Sequence, residues 1–317
     1  MTSSLAIVES EYEAATVGCG LVDRSERGKL ALTGGDAKGF LQGQVSNDVE
    51  SLTPGNGCYA AFLTPKGKML GDLRILDAGD ELLLDTERVA LQELFNMIRR
   101  FSIGYRVELH KRTLERGLLS LLGPRAAEVA AVGGLSEVEH SHVTAEIAGI
   151  QVRAARTDVG IDLLCDAADT EALSAALRRA GAVPVSDAVA DCVRVEHGRP
   201  RFGVDLDDSV IPQEAGLNER AVSFSKGCYV GQETVARLHY RGKPNRHLRG
   251  LRLAVAAQAG DEVAFGGRTV GRITSVAQSP TLGPVALALV RREAAPGSEV
   301  TVGDEVGAVV VELPFAG

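Results

Sequence analysis

Apolar and polar positions along the chain fall into two regimes that meet near Pro244. Before that point, segments with apolar residues at helical spacing alternate with short runs of period two. After it the pattern is short strands separated by glycine turns. In the first regime a helix is expected over residues 5–18, closed by Gly18 and Gly20, followed by a strand over residues 28–34. Asp36 stands where it can cap a short helix, "AKGFLQGQV". Then come a strand "GCYAAFLT", a turn "TPKGK", and a hairpin of "KMLGDLRIL" and "DELLLDT" around Asp77, Ala78 and Gly79. Thr86 opens a helix with Leu91, Leu94, Phe95 and Ile98 on one face, closed by Arg99 and Arg100, and "YRVELH" reads as another strand.

A second unit repeats the mixture. "GLLSLLG" reads as a strand and "PRAAEVAAVGG" as a helix with Pro124 in its first turn. "AEIAGIQVRAART" and "GIDLLCD" are strands on either side of residues 157–160. "TEALSAALRRAG", capped by Thr170 and stopped by Gly181, and "SDAVADCVRVEHG", capped by Ser186, are helices. The remainder, from "LRGLRLAV" to "SEVTVGDEVGAVVVELPF", predicts a small β-barrel or sandwich. The chain is therefore expected to be α+β with an all-β terminal domain. Its 317 residues are long for one core and predict two or three subdomains.

Composition adds four constraints. Aromatics are only 4% and Trp is absent, so the core must rest on Ala, Val, Leu and Ile. The N-terminal stretch carries Glu9, Glu11 and Glu13 rather than a basic leader, and no apolar run approaches the ~20 residues of a membrane span, so a cytoplasmic protein is expected. The five cysteines (Cys19, Cys58, Cys165, Cys192 and Cys228) include no C-x-x-C, which argues against a zinc knuckle or disulfide framework. Cys165 and Cys192, in a strand and a helix, read as small buried hydrophobes. Net charge is −8, yet residues 220–252 carry eight Lys/Arg against Glu233 alone, a local +7 that suggests an anionic ligand or partner.

Cys228, in "KGCYVGQE", is the most distinctive candidate. Lys226 is close by and "CYVGQETVARL" has helix-compatible composition, a setting that stabilises a thiolate. A thiol hydrolase would also need a histidine base. His197, His239 and His247 are available but no motif selects one, and His110, His140 and His142 read as surface residues. Glu196, in "VRVEHGRPRFG", would serve a planar heterocycle if it faced a cavity; otherwise it is an exposed acid. Walker-type and G-x-G-x-x-G loops, H-E-x-x-H, EF-hand and G-x-S-x-G motifs, and an RNP1-type aromatic strand are all missing, which disfavours nucleotide-binding, hydrolase and classical RNA-binding classes.

Taken together, the blocks "FLQGQVSNDV", "TPKGKMLGDLRI", "RVEHGRPRFG", "IPQEAGL" and "KGCYVGQETVAR" resemble, in order, those of the YgfZ family of folate-binding proteins, relatives of the glycine cleavage T-protein (aminomethyltransferase). The likeness covers nearly the whole chain. It implies a three-domain cloverleaf: a discontinuous folate-binding α+β domain at 1–24 and 113–243, an α+β domain at 25–112 and a β-barrel domain at 244–317. It implies tetrahydrofolate as cofactor, with Glu196 at the pterin, whose paired donor edge suits a carboxylate. Arg237 would meet the anionic tail and Asp72 would lie nearby. The T-protein carries an Asp-Asp pair where this chain has Gly71-Asp72, and its catalytic acid aligns with Gly71. It also lacks a cysteine at position 228. The resemblance thus implies a protein that supports assembly or repair of iron–sulfur clusters. Its partners would be cluster proteins such as a tRNA-thiolating radical enzyme, and Cys228 would be the functional thiol, assisted by Lys226, and a transient cluster ligand. The alternative is a tetrahydrofolate-dependent aminomethyl or one-carbon transferase. Direct nucleic-acid binding is the least favoured reading.

Overall fold

The structure is a computed structural model that describes residues 8–303 and 305–315. The first helix runs Glu9–Thr16, and residues 5–7 of its expected span lie outside the described residues. Two sheets and a barrel follow. The first sheet is ordered Val183–Pro184, Gly20–Asp23, Arg116–Leu122, Gly160–Asp166, Ile150–Arg156, His142–Ile147. The second is ordered Gly57–Leu63, Met69–Asp77, Leu82–Thr86, Gly28–Thr33, Glu108–Lys111. Residues 246–311 form a closed six-stranded antiparallel barrel, in which Val306–Val311 returns to pair with Arg246–Leu253. Closure leaves no open sheet edge. The expected α+β architecture with a terminal β-barrel is what the chain adopts.

Several local expectations gave way to turn chemistry. "AEIAGIQVRAART" is two strands, because Ala148 (φ 51°) and Gly149 (φ 82°) turn the chain back in a two-residue hairpin. The "PRAAEVAAVGG" helix shrinks to Ala126–Ala130, ended by Ala131 in the left-handed region. Asp36 does not cap its helix: its carboxylate accepts from the backbone and guanidinium of Arg106. Thr86 is the last residue of a strand, and the helix it was expected to open begins at Leu91 after a short 3₁₀ turn.

Strand alternation decides what faces the site. On Met69–Asp77, Gly71, Leu73 and Ile75 face the core with Phe62 and Leu84, while Asp72 and Arg74 share the other face with their cross-strand partners Ala61 and Tyr59. Gly71 pairs with Phe62, and a Cβ there would lie 2.5 Å from the Phe62 ring and 2.7 Å from the Ala90 methyl. Position 71 has no room for a carboxylate, and Asp72 is the acid presented to the first sheet. The expectation that the acid aligned with Gly71 has been lost from the site is corrected by this alternation. Gly71→Ala should lower stability by about 1–3 kcal/mol through overpacking, and Gly71→Asp by more, because it buries an unpaired charge. Thermal unfolding measures both; a Gly71→Asp protein as stable as the parent would show that position 71 opens to the cavity.

Candidate functional site

A cavity of about 580 Å³ lies between the facing sheets. A buried ion network crosses it. Arg74 donates to Asp85 of its own sheet at 2.9 Å and to Asp162 of the opposite sheet at 2.7 Å. Arg27 bonds the other Asp85 oxygen at 2.8 Å and also pairs with Glu87. Ser120 donates to Asp162 at 2.6 Å. These arginines and acids belong to strands or strand ends that are otherwise apolar. Charges at period two in such strands, Asp72 and Arg74 in "MLGDLRILD", were the signal that could have found this wall from sequence.

Asp72 is 5% exposed and lines the cavity beside the Tyr59 hydroxyl. Burial pushes its carboxyl up to about 6, against the opposing pull of Tyr59 and Arg27. Arg220 lies over the Tyr59 ring, with its guanidinium 5.3 Å from the centroid, and pairs with Glu139. The wall thus holds one acid that can exchange a proton near neutrality, beside the paired charges of Arg27, Arg74, Asp85 and Asp162.

Glu196 is not part of this wall. On the helix Asp187–Glu196, residues 187, 190, 194 and 197 lie along the cavity, whereas Val189, Cys192 and Glu196 fall on the opposite face. Its carboxylate is 6% exposed and accepts from the Tyr12 hydroxyl at 2.9 and 3.1 Å and from the Cys192 thiol at 3.5 Å. Tyr12 also lies 3.0 Å from Thr281 Oγ1, so the acid ties the N-terminal helix to a turn of the barrel. It is neither exposed nor open to the cavity. Arg237 is exposed on the helix Gln232–Arg241 and does not line the cavity either. Of the basic residues at 220–252, Arg220, Arg246 and Arg249 are paired with Glu139, Glu214 and Glu312.

Cys228 is the one exposed cysteine among the five, and it lies outside the cavity. The helix begins four residues later at Gln232, because Gly231 takes φ 86°. Lys226 does not serve the thiol. Its ammonium donates to the backbone carbonyls of Gln42, Val45 and Asn47 and is lowered to about 8 by burial. The expectation of a thiol activated by both Lys226 and a helix terminus is therefore corrected: the lysine is a structural clamp and the helix starts too late. The same loop is held by Val230 N–H to Gly43, by Ser223 N–H to Ser46, and by Gly231, where a Cβ would strike the Thr64 carbonyl at 2.6 Å. Gln213 of "IPQEAGL" donates to the Val235 carbonyl at 2.8 Å. Four of the five sequence blocks thus meet in one platform that presents Cys228. His239 is engaged elsewhere, stacked on Phe224 with centroids 3.7 Å apart.

The histidines expected on the surface are not all there. His142 is 2% exposed, and His140 lines the cavity with its side chain 13% exposed. His197 lines the cavity as well.

The raised Asp72 gives a pH signature. The folded state holds this proton more tightly than the unfolded chain, where the group is ordinary at about 3.8. Its contribution to stability is complete below about pH 4 and is lost as pH rises through about 6. Asp72→Asn should therefore exceed the parent in stability at pH 7.5 by on the order of 2 kcal/mol, with the gap closing toward pH 4. Urea unfolding across that range checks it, and a pH-independent gap would contradict it.

Comparison with known proteins agrees with this architecture. The profile of the GCVT N-terminal domain matches residues 2–226, and that of the glycine cleavage T-protein C-terminal barrel domain matches residues 246–316. An aminomethyltransferase of Rubrobacter xylanophilus is 31% identical over 99% of this chain and 88% of its own length. A chloroplastic protein of Arabidopsis thaliana, named provisionally as a transferase, is 28% identical over 97% of this chain and 73% of its own. The glycine cleavage system aminomethyltransferase T of Bartonella henselae superposes with a TM-score of 0.86 at 25% identity, covering 97% of this chain and 89% of that one. Among the described residues no helix is long and apolar enough to cross a membrane. The chain belongs to the glycine cleavage T-protein family.

Proposed function

We propose that this chain is a YgfZ-type member of its family: a tetrahydrofolate-binding protein that supports assembly or repair of iron–sulfur clusters, with Cys228 as its working thiol. The observation that carries the reading is the separation of two features. A half-open cavity lined in part by charged side chains holds Asp72, and the one exposed cysteine is held outside it on a hydrogen-bonded platform. A thiol so placed meets a partner protein rather than a ligand in the cavity. One cysteine cannot hold a cluster, which takes four thiolates in most sites. The cluster would be cargo, shared transiently with thiols of the partner.

The cavity suits a folate. Its volume of about 580 Å³ falls within the roughly 300–1,000 Å³ of small-molecule sites. Asp72 offers a carboxylate to the paired N–H edge of a pterin, Tyr59 an aromatic surface, and His140 a buried ring nitrogen, Nδ1, that has no partner among the described residues. Arg24 and Arg201 stand on the same wall for an anionic tail, a role this geometry suits better than exposed Arg237. Bound tetrahydrofolate supplies ring nitrogens that carry one-carbon units. Glu196 reaches a ligand only if Tyr12 releases it, so Asp72 takes the role first expected of Glu196.

A second reading has its own support. Because Asp72 faces the cavity, the acid needed for aminomethyl or one-carbon transfer is not missing. Direct action on tRNA has no such observation behind it.

In the primary reading, Cys228→Ser and Cys228→Ala bind tetrahydrofolate as the parent does, yet neither restores cluster-enzyme activity to cells lacking the protein. Asp72→Ala weakens folate binding about tenfold or more, measured by calorimetry under reducing conditions. Full rescue by both cysteine variants would remove the thiol from the mechanism. Turnover of methylene-tetrahydrofolate with an acceptor, abolished in Asp72→Ala and kept in Cys228→Ser, would put the transferase reading first. Loss of affinity in Glu196→Ala but not in Asp72→Ala would move the ligand to the Tyr12 side of the helix.

A further inference from the structure

His140 shares the cavity lining with His197, and three observations set it apart. Its backbone is left-handed, φ 69°, at a residue that is not glycine. Such conformations cost free energy and collect at ligand clamps. Among the described residues neither ring nitrogen has a hydrogen-bond partner: Nδ1 is buried, and Nε2 lies 3.6 Å from Glu139 Oε1, which is itself taken by Arg220. The ring stands beside Tyr59, with centroids 6.5 Å apart, on the lining of the cavity that holds Asp72.

A buried polar ring with no partner and a strained backbone is a double cost to the fold. The fold draws little from it in return, since the backbone N–H bond to the Arg156 carbonyl is available to any residue but proline. The surroundings also keep the ring uncharged. Burial, then Arg74 and Arg220, hold it down to about 3, against the weaker pull of Asp158 and Asp85. At neutral pH it is both donor and acceptor, matched to an uncharged heteroaromatic ring and poorly matched to an anionic tail.

We propose that His140 is a ligand-contacting residue of the cavity, whose imidazole hydrogen-bonds a polar ring atom of the bound heterocycle. This rests on the folate reading of the cavity and adds to it a specificity-determining residue on the lining that also holds Asp72. The residue belongs to the site rather than to the fold.

The test uses the full chain, with tetrahydrofolate as the probe. His140→Gly removes the ring at a backbone angle that glycine adopts freely. His140→Asn tolerates the same angle and keeps a polar side chain. Calorimetric affinity should fall about tenfold or more in His140→Gly and recover in part in His140→Asn. The unfolding temperature of the ligand-free protein should stay unchanged or rise. The His140 imidazole ¹⁵N resonances of the parent should shift when tetrahydrofolate is added. Unchanged affinity in His140→Gly, or resonances that ignore the ligand, overturns the inference and leaves the folate reading standing. Affinity lost together with a large fall in unfolding temperature makes His140 structural and likewise overturns it. A parent protein that binds no folate overturns the folate reading and the inference with it.

Discussion

Arg74 is the hinge on which the site depends. Its guanidinium is buried and shared between Asp85 of its own sheet and Asp162 of the facing sheet. A planar fork that satisfies two carboxylates on different sheets fixes their separation and orientation at once. Removing either partner would leave a buried charge uncompensated, which is far more costly than the pair is favourable. The same cation helps keep His140 neutral. Beside it Asp72 is left as a buried acid of the cavity that no guanidinium hydrogen bond matches.

The Cys228 platform follows a different logic. Here backbone carbonyls, not carboxylates, absorb a cation. The Lys226 ammonium gathers three carbonyls from residues 42–47, and Gly231 allows the "TPKGK" turn to approach to contact distance. Asn47 then bonds the carbonyls of Tyr59 and Arg220, so the platform that presents the thiol and the wall that faces the cavity share a residue. The thiol and Asp72 nonetheless face different surroundings.

Much of this was legible in the chain and the rest was not, for identifiable reasons. The change of regime near Pro244, most strands of the two sheets and most of the helices were visible because burial imposes periods of 2 and 3.6 on local sequence, whereas the short strands Gly20–Asp23 and Val183–Pro184 were not. The split at Ala148-Gly149 was missed because two residues with positive φ leave little mark on hydrophobicity. That Glu196 is tied to Tyr12 was not visible, because helical period fixes which residues share a face, but not which neighbour that face meets. Gly71 misled for the converse reason: alignment with an Asp-Asp pair ignored the alternation that turns one of the two residues into the core.

By itself the sequence determined most element types, an all-β terminal domain, the presence of an uncommon cysteine block and the order of the motifs, because each of these is written in local spacing and composition. Only the tertiary structure decided that Lys226 clamps a loop instead of activating a thiol, that Asp72 faces a cavity while Glu196 is tied to Tyr12, and that His140 is buried with its ring uncommitted. Each of those facts depends on which side chain or carbonyl arrives from a distant part of the chain. Burial and hydrogen bonding are properties of that arrival, and local pattern carries no record of it.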